Sequence, residues 1–262
     1  MGTFNKWGHL WRKKYQWGEA FNQNGNCTFA TDEMVQQDQN DSVPLELHIS
    51  PKCRCQENGS TRFDVGVICL VENEIGPSGY HEPKLLNNFK VELEAKLPPG
   101  ERMWPAFWLY STSGVSGTTA YKYLEFDVFE GWSGPNGNYR VQSKKGKGCY
   151  TNVEEEASLL LQTIHGVSSK KKKKVFKNFQ NEFEVPNLTT EFHKFSIERT
   201  DSKITIMCDD DVIISIGKSN FRWHKLQDPV YLIIGNGACN SKLVGDTSQS
   251  VLYIRNLSIQ EL

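Results

Sequence analysis

The chain has 262 residues, 38% of them hydrophobic, which is enough for one large domain with a sizeable core. Its 30 Lys and Arg against 31 Asp and Glu leave a net charge of −1, so nothing in the overall balance attracts nucleic acid or a membrane surface. No apolar run is long enough to span a bilayer, and the first 30 residues contain no apolar signal core.

Short runs with period-two alternation, or continuously apolar, recur along the chain, and each predicts a β-strand. They cover 43–50, 62–72, 89–97, 104–110, 123–130, 158–165, 192–200, 203–208, 212–216, 229–234 and 251–259. Pro98-Pro99-Gly100, Asp209-Asp210-Asp211 and Gly235-Asn236-Gly237 punctuate them as turns. No helical period of useful length emerges, although 152–161 has room for a turn or two. Many strands joined by short loops, with no internal repeat, predict an all-β sandwich or jelly roll forming a single domain over 1–262. A concave sheet face in such a fold is an open cleft for a chain-like ligand.

Two neighbouring runs carry the chemistry. In Trp104-Pro105-Ala106-Phe107-Trp108-Leu109, alternation puts Trp104, Ala106 and Trp108 on one face and Phe107 and Leu109 on the other. Two indoles two steps apart, about 7 Å along a strand, are either core tryptophans or flat surfaces for a sugar chain with N–H groups for its hydroxyls. The spacer 111–122 is rich in Gly, Ser and Thr, as a surface loop should be. Glu125-Phe126-Asp127-Val128-Phe129-Glu130 then sets three acids in a strand that Phe and Val would bury. Glu125 and Asp127 share a face. Glu130, five residues from Glu125, would point the other way on a regular strand. A β-bulge at Val128-Phe129 restores the parity and returns Glu130 to the common face. Paired carboxylates across a glycosidic bond are the minimum equipment for its hydrolysis. An edge strand with solvated acids is the plainer alternative.

These residues resemble glycoside hydrolase family 16, the laminarinases, lichenases, agarases and carrageenases, whose signature is a Trp-Pro-Ala-Phe-Trp-like strand, a short loop and a Glu-x-Asp-x-x-Glu or Glu-x-Asp-x-Glu run. Phe89 to Pro98, Thr163-Ile164-His165-Gly166, Phe192 to Glu198 and Val251 to Ile259 resemble other strands of that family. The resemblance implies a concanavalin A-like jelly roll and an endo-acting, retaining hydrolase of internal β-linkages in a polysaccharide. It implies Glu125 as nucleophile, Glu130 as acid/base, and Asp127 as their hydrogen-bonding partner. Trp104 and Trp108 would line the sugar subsites. His165 would bond a sugar hydroxyl or be a structural histidine; His193 matches a structural position. Trp132 would extend the aromatic platform or cap the loop 131–138. No cofactor is required. A structural calcium occurs among relatives, although no loop here has calcium-ligand spacing. The implied partner is the polysaccharide alone, with neither nucleic acid nor membrane, acting on a monomer, and the family usually works outside the cell or at its surface.

The first choice of substrate is β-1,3-glucan or mixed β-1,3/1,4-glucan, followed by a galactan such as agarose or carrageenan. A non-catalytic lectin of the same shape, or transglycosylation, are further readings. Two departures bear on the choice. The family strand often has a sugar-site Arg where Glu94 stands, and Ile234 to Ala238 replaces its Asn-Leu-Ala-like run. The basic clusters Lys144, Lys145, Lys147 and Lys170 to Lys174 read as solvated loops, or as attraction for an anionic polysaccharide. Seven cysteines, an odd number, leave at least one unpaired, and Cys53-Arg54-Cys55 lacks the second pair a zinc site needs.

Overall fold

The structure, a computed structural model, describes residues 2–16, 20–21, 27–54, 61–73, 82–100, 103–111, 124–133, 139–140, 159–166, 179–220, 223, 226–237 and 250–262. In chain order its strands are β1 (Thr3–Lys6), β2 (His9–Arg12), β3 (Ala20–Phe21), β4 (Cys27–Ala30), β5 (Val35–Gln36), β6 (Leu45–Leu47) and β7 (Ile49–Arg54). Next come β8 (Thr61–Val65), β9 (Val67–Leu70), β10 (Phe89–Lys96), β11 (Ala106–Ser111), β12 (Leu124–Glu130), β13 (Trp132–Ser133) and β14 (Tyr139–Arg140). The last are β15 (Leu159–Gly166), β16 (Phe179–Glu184), β17 (His193–Arg199), β18 (Lys203–Cys208), β19 (Asp211–Gly217), β20 (Val230–Gly235) and β21 (Leu252–Glu261).

Two large sheets face one another. One has eight strands in the order β1-β2-β9-β20-β11-β12-β15-β16; the other has seven, β19-β18-β17-β10-β21-β6-β5. This is the sandwich that the alternating runs predict. In β10 every second residue, Phe89 to Ala95, is buried, and the charged residues between them point outward. In β11, Phe107 and Leu109 turn in while Trp108 and Tyr110 turn out. The layers meet where Phe129 of β12 packs on Phe195 of β17 at 4.6 Å, with Phe107 edge-on to Phe129. Burying a side chain of that size contributes about 1.5–3 kcal/mol.

Two of the long expected strands are divided. The run 43–50 breaks at His48 between β6 and β7, and 62–72 breaks at Gly66 between β8 and β9. At Gly66 the ribbon leaves a small four-stranded sheet for the large one, so close to its neighbours that a Cβ would stand 2.4 Å from the Met34 carbonyl oxygen. Only glycine fits there. In the segment 152–161, expected to hold a helical turn, residues 159–161 begin β15 instead, and 152–158 lie outside the described residues. The Asp209-Asp210 turn forms as expected, with both residues at positive φ (46° and 74°), joining β18 to β19.

Arg199 ties the sandwich together. It is 1% exposed, at the end of β17, and its guanidinium donates to the carbonyls of Leu86, Asn87, Leu226 and Asp228. The cation also lies over Phe89 and over Phe126 of the opposite sheet. Burial lowers its pKa to about 10, so it remains charged. Replacement by Met leaves four carbonyls without this donor. We expect Arg199→Met to lower unfolding free energy by about 3 kcal/mol, as measured by urea titration; a loss under about 0.5 kcal/mol would show that water replaces the guanidinium freely.

Candidate active site

The site is built on the outer face of the eight-stranded sheet, where β11, β12 and β15 run side by side. Directly opposed residues of an antiparallel pair share a face. Tyr110 opposes Glu125, and Glu125 opposes His165. Trp108 opposes Asp127, which opposes Thr163. The register then slips. Phe107 opposes Phe129, so Val128 has no counterpart on β11; on β15, Gln162 alone stands across from Val128 and Phe129. This is the two-against-one arrangement of a β-bulge. Beyond it Glu130 opposes Ala106 and returns to the face of Glu125 and Asp127. Phe126, Val128 and Phe129 are fully buried on the core side. Burial forces the kink: in an unbroken pleat either Phe129 would face water or Glu130 would enter the core.

The strand around the bulge is pinned on both sides. Gly131 donates its N–H to the Pro105 carbonyl, and Ser133 donates its N–H to the Met103 carbonyl. The Ser133 hydroxyl accepts from Met103 N at 2.6 Å. Gln162, fully buried behind the bulge, finds no hydrogen-bond partner for its amide among the described residues.

Glu130 accepts a hydrogen bond from the Trp104 indole Nε1 at 2.8 Å. Trp104, expected either in the core or facing a sugar chain, is thereby bonded to an acid 26 residues away. Asp127 is 3% exposed, and His165 Nε2 lies 3.1 Å from its Oδ2. The His165 side chain is 27% exposed, so it opens onto the outer face of the sheet, where a cleft was expected. Trp108 is half-buried on the same face and meets Tyr110 edge-on at 5.7 Å. Trp132 corrects the expectation of an open sugar platform. It stacks on Trp104 at 6.0 Å and 29°, but is only 5% exposed. It braces Trp104 from behind, because Gly131 lets the chain turn in against Tyr139 and Leu160.

Other expectations resolve away from the cleft. Glu94 lies on β10, in the opposite sheet, and points outward to Arg255 (2.7 Å) and Asn256 (2.9 Å). It therefore lies in the other sheet from Glu125, Asp127 and Glu130. Asn236 is 1% exposed and donates to the Leu47 and Ser250 carbonyls, a structural tie. His193 is buried against Asp209 at 2.6 Å, also structural. Cys69 and Cys208 are free and buried. The side chains of Cys27, Cys53, Cys55, Cys149 and Cys239, the lysines 144, 145, 147 and 170–174, and the loop 112–122 lie outside the described residues.

Three acids on one shielded face cannot all be charged cheaply. Burial raises the pKa of Asp127 to about 8. Burial and then the charge of Asp127 raise Glu130 to about 8, against the opposing pull of the Trp104 hydrogen bond and His165. Burial, Asp127 and Glu130 push Glu125 up as well, with His165 opposing. The three titrate as a unit and share their protons. Ligating atoms of Glu125, Asp127 and His165 lie within 4.8 Å of one another. Carboxyls that hold protons this firmly suit proton transfer.

No protein-family model matches the chain, and no curated protein matches it in sequence. Solved structures do match. A glycoside hydrolase family 16 endo-glucanase from Bacteroides ovatus superposes with a TM-score of 0.65 at 17% identity, covering 95% of this chain and 94% of its own. The catalytic domain of an endo-1,3-β-glucanase (laminarinase) from Thermotoga petrophila RKU-1 gives 0.61 at 17% identity, covering 96% and 98%. The laminarinase catalytic domain from Thermotoga maritima MSB8 gives 0.61 at 17% identity, covering 91% and 84%. The chain is therefore similar to these enzymes over nearly its whole length, and its fold is their β-sandwich jelly roll.

Proposed function

We propose that the chain belongs to glycoside hydrolase family 16 and is an endo-acting, retaining hydrolase of β-1,3-glucan or mixed β-1,3/1,4-glucan. The observation that carries this reading is the bulge, which sets Glu125, Asp127 and Glu130 on one cleft face beside Trp104 and Trp108. The names of the structurally similar enzymes, laminarinases and endo-glucanases, favour a glucan over a galactan.

In the reaction the Glu125 carboxylate attacks the anomeric carbon while Glu130 gives its proton to the departing glycosidic oxygen. The C–O bond breaks and a glycosyl ester forms on Glu125. Glu130, now charged, takes a proton from water, and the resulting nucleophile displaces Glu125 from the sugar. Both inversions together retain configuration. Asp127, between the two, shares a proton with Glu125 and adds the like charge that keeps Glu130 protonated. Trp104 fixes the direction of Glu130 and, with Trp108, offers an indole face to the sugar chain. Neither a cofactor nor a metal is needed for these steps. The polysaccharide is the partner in this reading and the working unit is a monomer.

Release of reducing ends from laminarin, mixed-linkage glucan, agarose and carrageenan is the decisive assay. Release from the first two is expected. Binding without release would indicate a lectin, and release only from the galactans would refute the glucan assignment. Glu125→Gln and Glu130→Gln should each reduce turnover of polysaccharide by about 10²–10⁴-fold or more. Both carboxyls bind protons more tightly folded than unfolded, so the stability they contribute at low pH is lost as pH rises through their raised values, which for Glu130 is about 8. Each glutamine variant should therefore unfold at or above the parent temperature at pH 8, by calorimetry; a marked drop would mean the acids support the fold.

The pH profile follows from the same directions. Activity needs Glu130 protonated and should fall as pH rises through about 8. It also needs Glu125 charged and should fall on the acid side. Trp104→Phe removes the bond that stabilises charged Glu130, so the alkaline limb should move to higher pH while kcat at the optimum drops about tenfold. An unmoved limb would show that the indole does not act on this carboxyl.

A further inference from the structure

Tyr231 stands on the floor of the cleft and has no part in the chemistry above. It is fully buried on β20, directly across from Tyr110 of β11, which is itself directly across from Glu125. All three side chains share one face. The rings of Tyr231 and Tyr110 meet edge-on at 6.3 Å and 83°. Cys69 of β9 lies on the far side, opposite Ile233. The Tyr231 hydroxyl has no hydrogen-bond partner among the described residues. A buried hydroxyl left so costs stability and calls for a reason. Burial first, then Cys69, Tyr110 and Glu125, raise its proton affinity. This hydroxyl is therefore a donor that keeps its proton at any pH where the enzyme works.

Glu125 needs such a donor. It must be charged to attack, yet burial, Asp127 and Glu130 all favour its protonated form, and His165 opposes them. The groups facing it are Asp127 and Glu130 on its own strand, His165 on β15, Tyr110 on β11 and, beyond Tyr110, Tyr231 on β20 with Cys69 behind it. We propose that Tyr231 is a positioning residue whose hydroxyl donates a hydrogen bond to the Glu125 carboxylate when sugar fills the cleft, holding the nucleophile charged and aimed. The inference rests on the proposed function, since it assigns a task to the same nucleophile.

The test isolates Glu125 from Glu130. A 2-fluoro glycoside of a β-1,3-glucan oligosaccharide with a dinitrophenolate leaving group needs no proton from Glu130, so its trapping rate reports the nucleophile alone. In the unaltered protein, mass spectrometry should find the sugar on Glu125. In Tyr231→Phe, trapping on the acid side should be about tenfold slower, and its pH midpoint should rise by about one unit. The two proteins should converge at alkaline pH. KM for polysaccharide should stay within about twofold. Because the hydroxyl has no partner among the described residues, Tyr231→Phe should unfold at the same temperature or higher.

An unchanged midpoint and rate would overturn the proposal. So would a variant that loses several degrees of stability or fails to fold, because the hydroxyl would then be structural. Absence of any adduct on Glu125 in the unaltered protein would instead overturn the proposed function itself.

Discussion

One extra residue in one strand governs this site. The period of a β-strand is two, so a single insertion reverses the orientation of everything after it. Val128 is that residue. Before it, Asp127 faces the cleft and Phe126 the core; after it, Phe129 faces the core and Glu130 the cleft. The hydrophobic requirement of the sandwich and the chemical requirement of the cleft are out of step by one, and the bulge lets the same strand meet both. The packing of Phe129 on Phe195 and the pinning of Gly131 and Ser133 hold the kink in place. The core thus determines where the acids point.

The same arrangement sets their electrostatics. A sheet backed by Phe107, Phe126 and Phe129 offers little solvation to the acids in front of it, and so the carboxyls hold protons into the neutral range. That is a poor bargain for stability and a good one for an acid catalyst. The fold accepts the cost at Glu125, Asp127 and Glu130 and makes it good elsewhere, at Arg199 for example, where one buried cation satisfies carbonyls from two separate segments while lying against rings of both sheets.

The strands that the sequence discloses are those with one apolar face, such as β10 with its strict alternation of Phe89, Val91, Leu93 and Ala95. The bulge was legible too, because three acids with two Phe and a Val admit one parity that buries the aromatics. The hairpin of β1 and β2 was not. Its turn places Trp7 at a positive φ of 53° before Gly8, where Asn or Asp would have given the signal, and the tertiary bonds from Trp7 to Asp41 hold that conformation. Nor was β16, an edge strand whose residues Gln180 to Glu182 face water and leave no apolar period. In the site, the Trp104 bond to Glu130 joins residues 26 apart, and Tyr231 reaches the cleft through a register that local pattern does not encode. Glu94 misled because sequence position alone does not say which of two sheets a strand will join.

The bond between Trp104 and Glu130 makes the cleft its own optical indicator. The emission colour of an indole responds to charge placed near its ring, and this one is fastened by its N–H to the carboxyl proposed to give and take the proton, with Trp132 stacked behind it. A change in the charge of that acid should therefore shift the emission of this one indole among the chain's seven tryptophans, without any added dye.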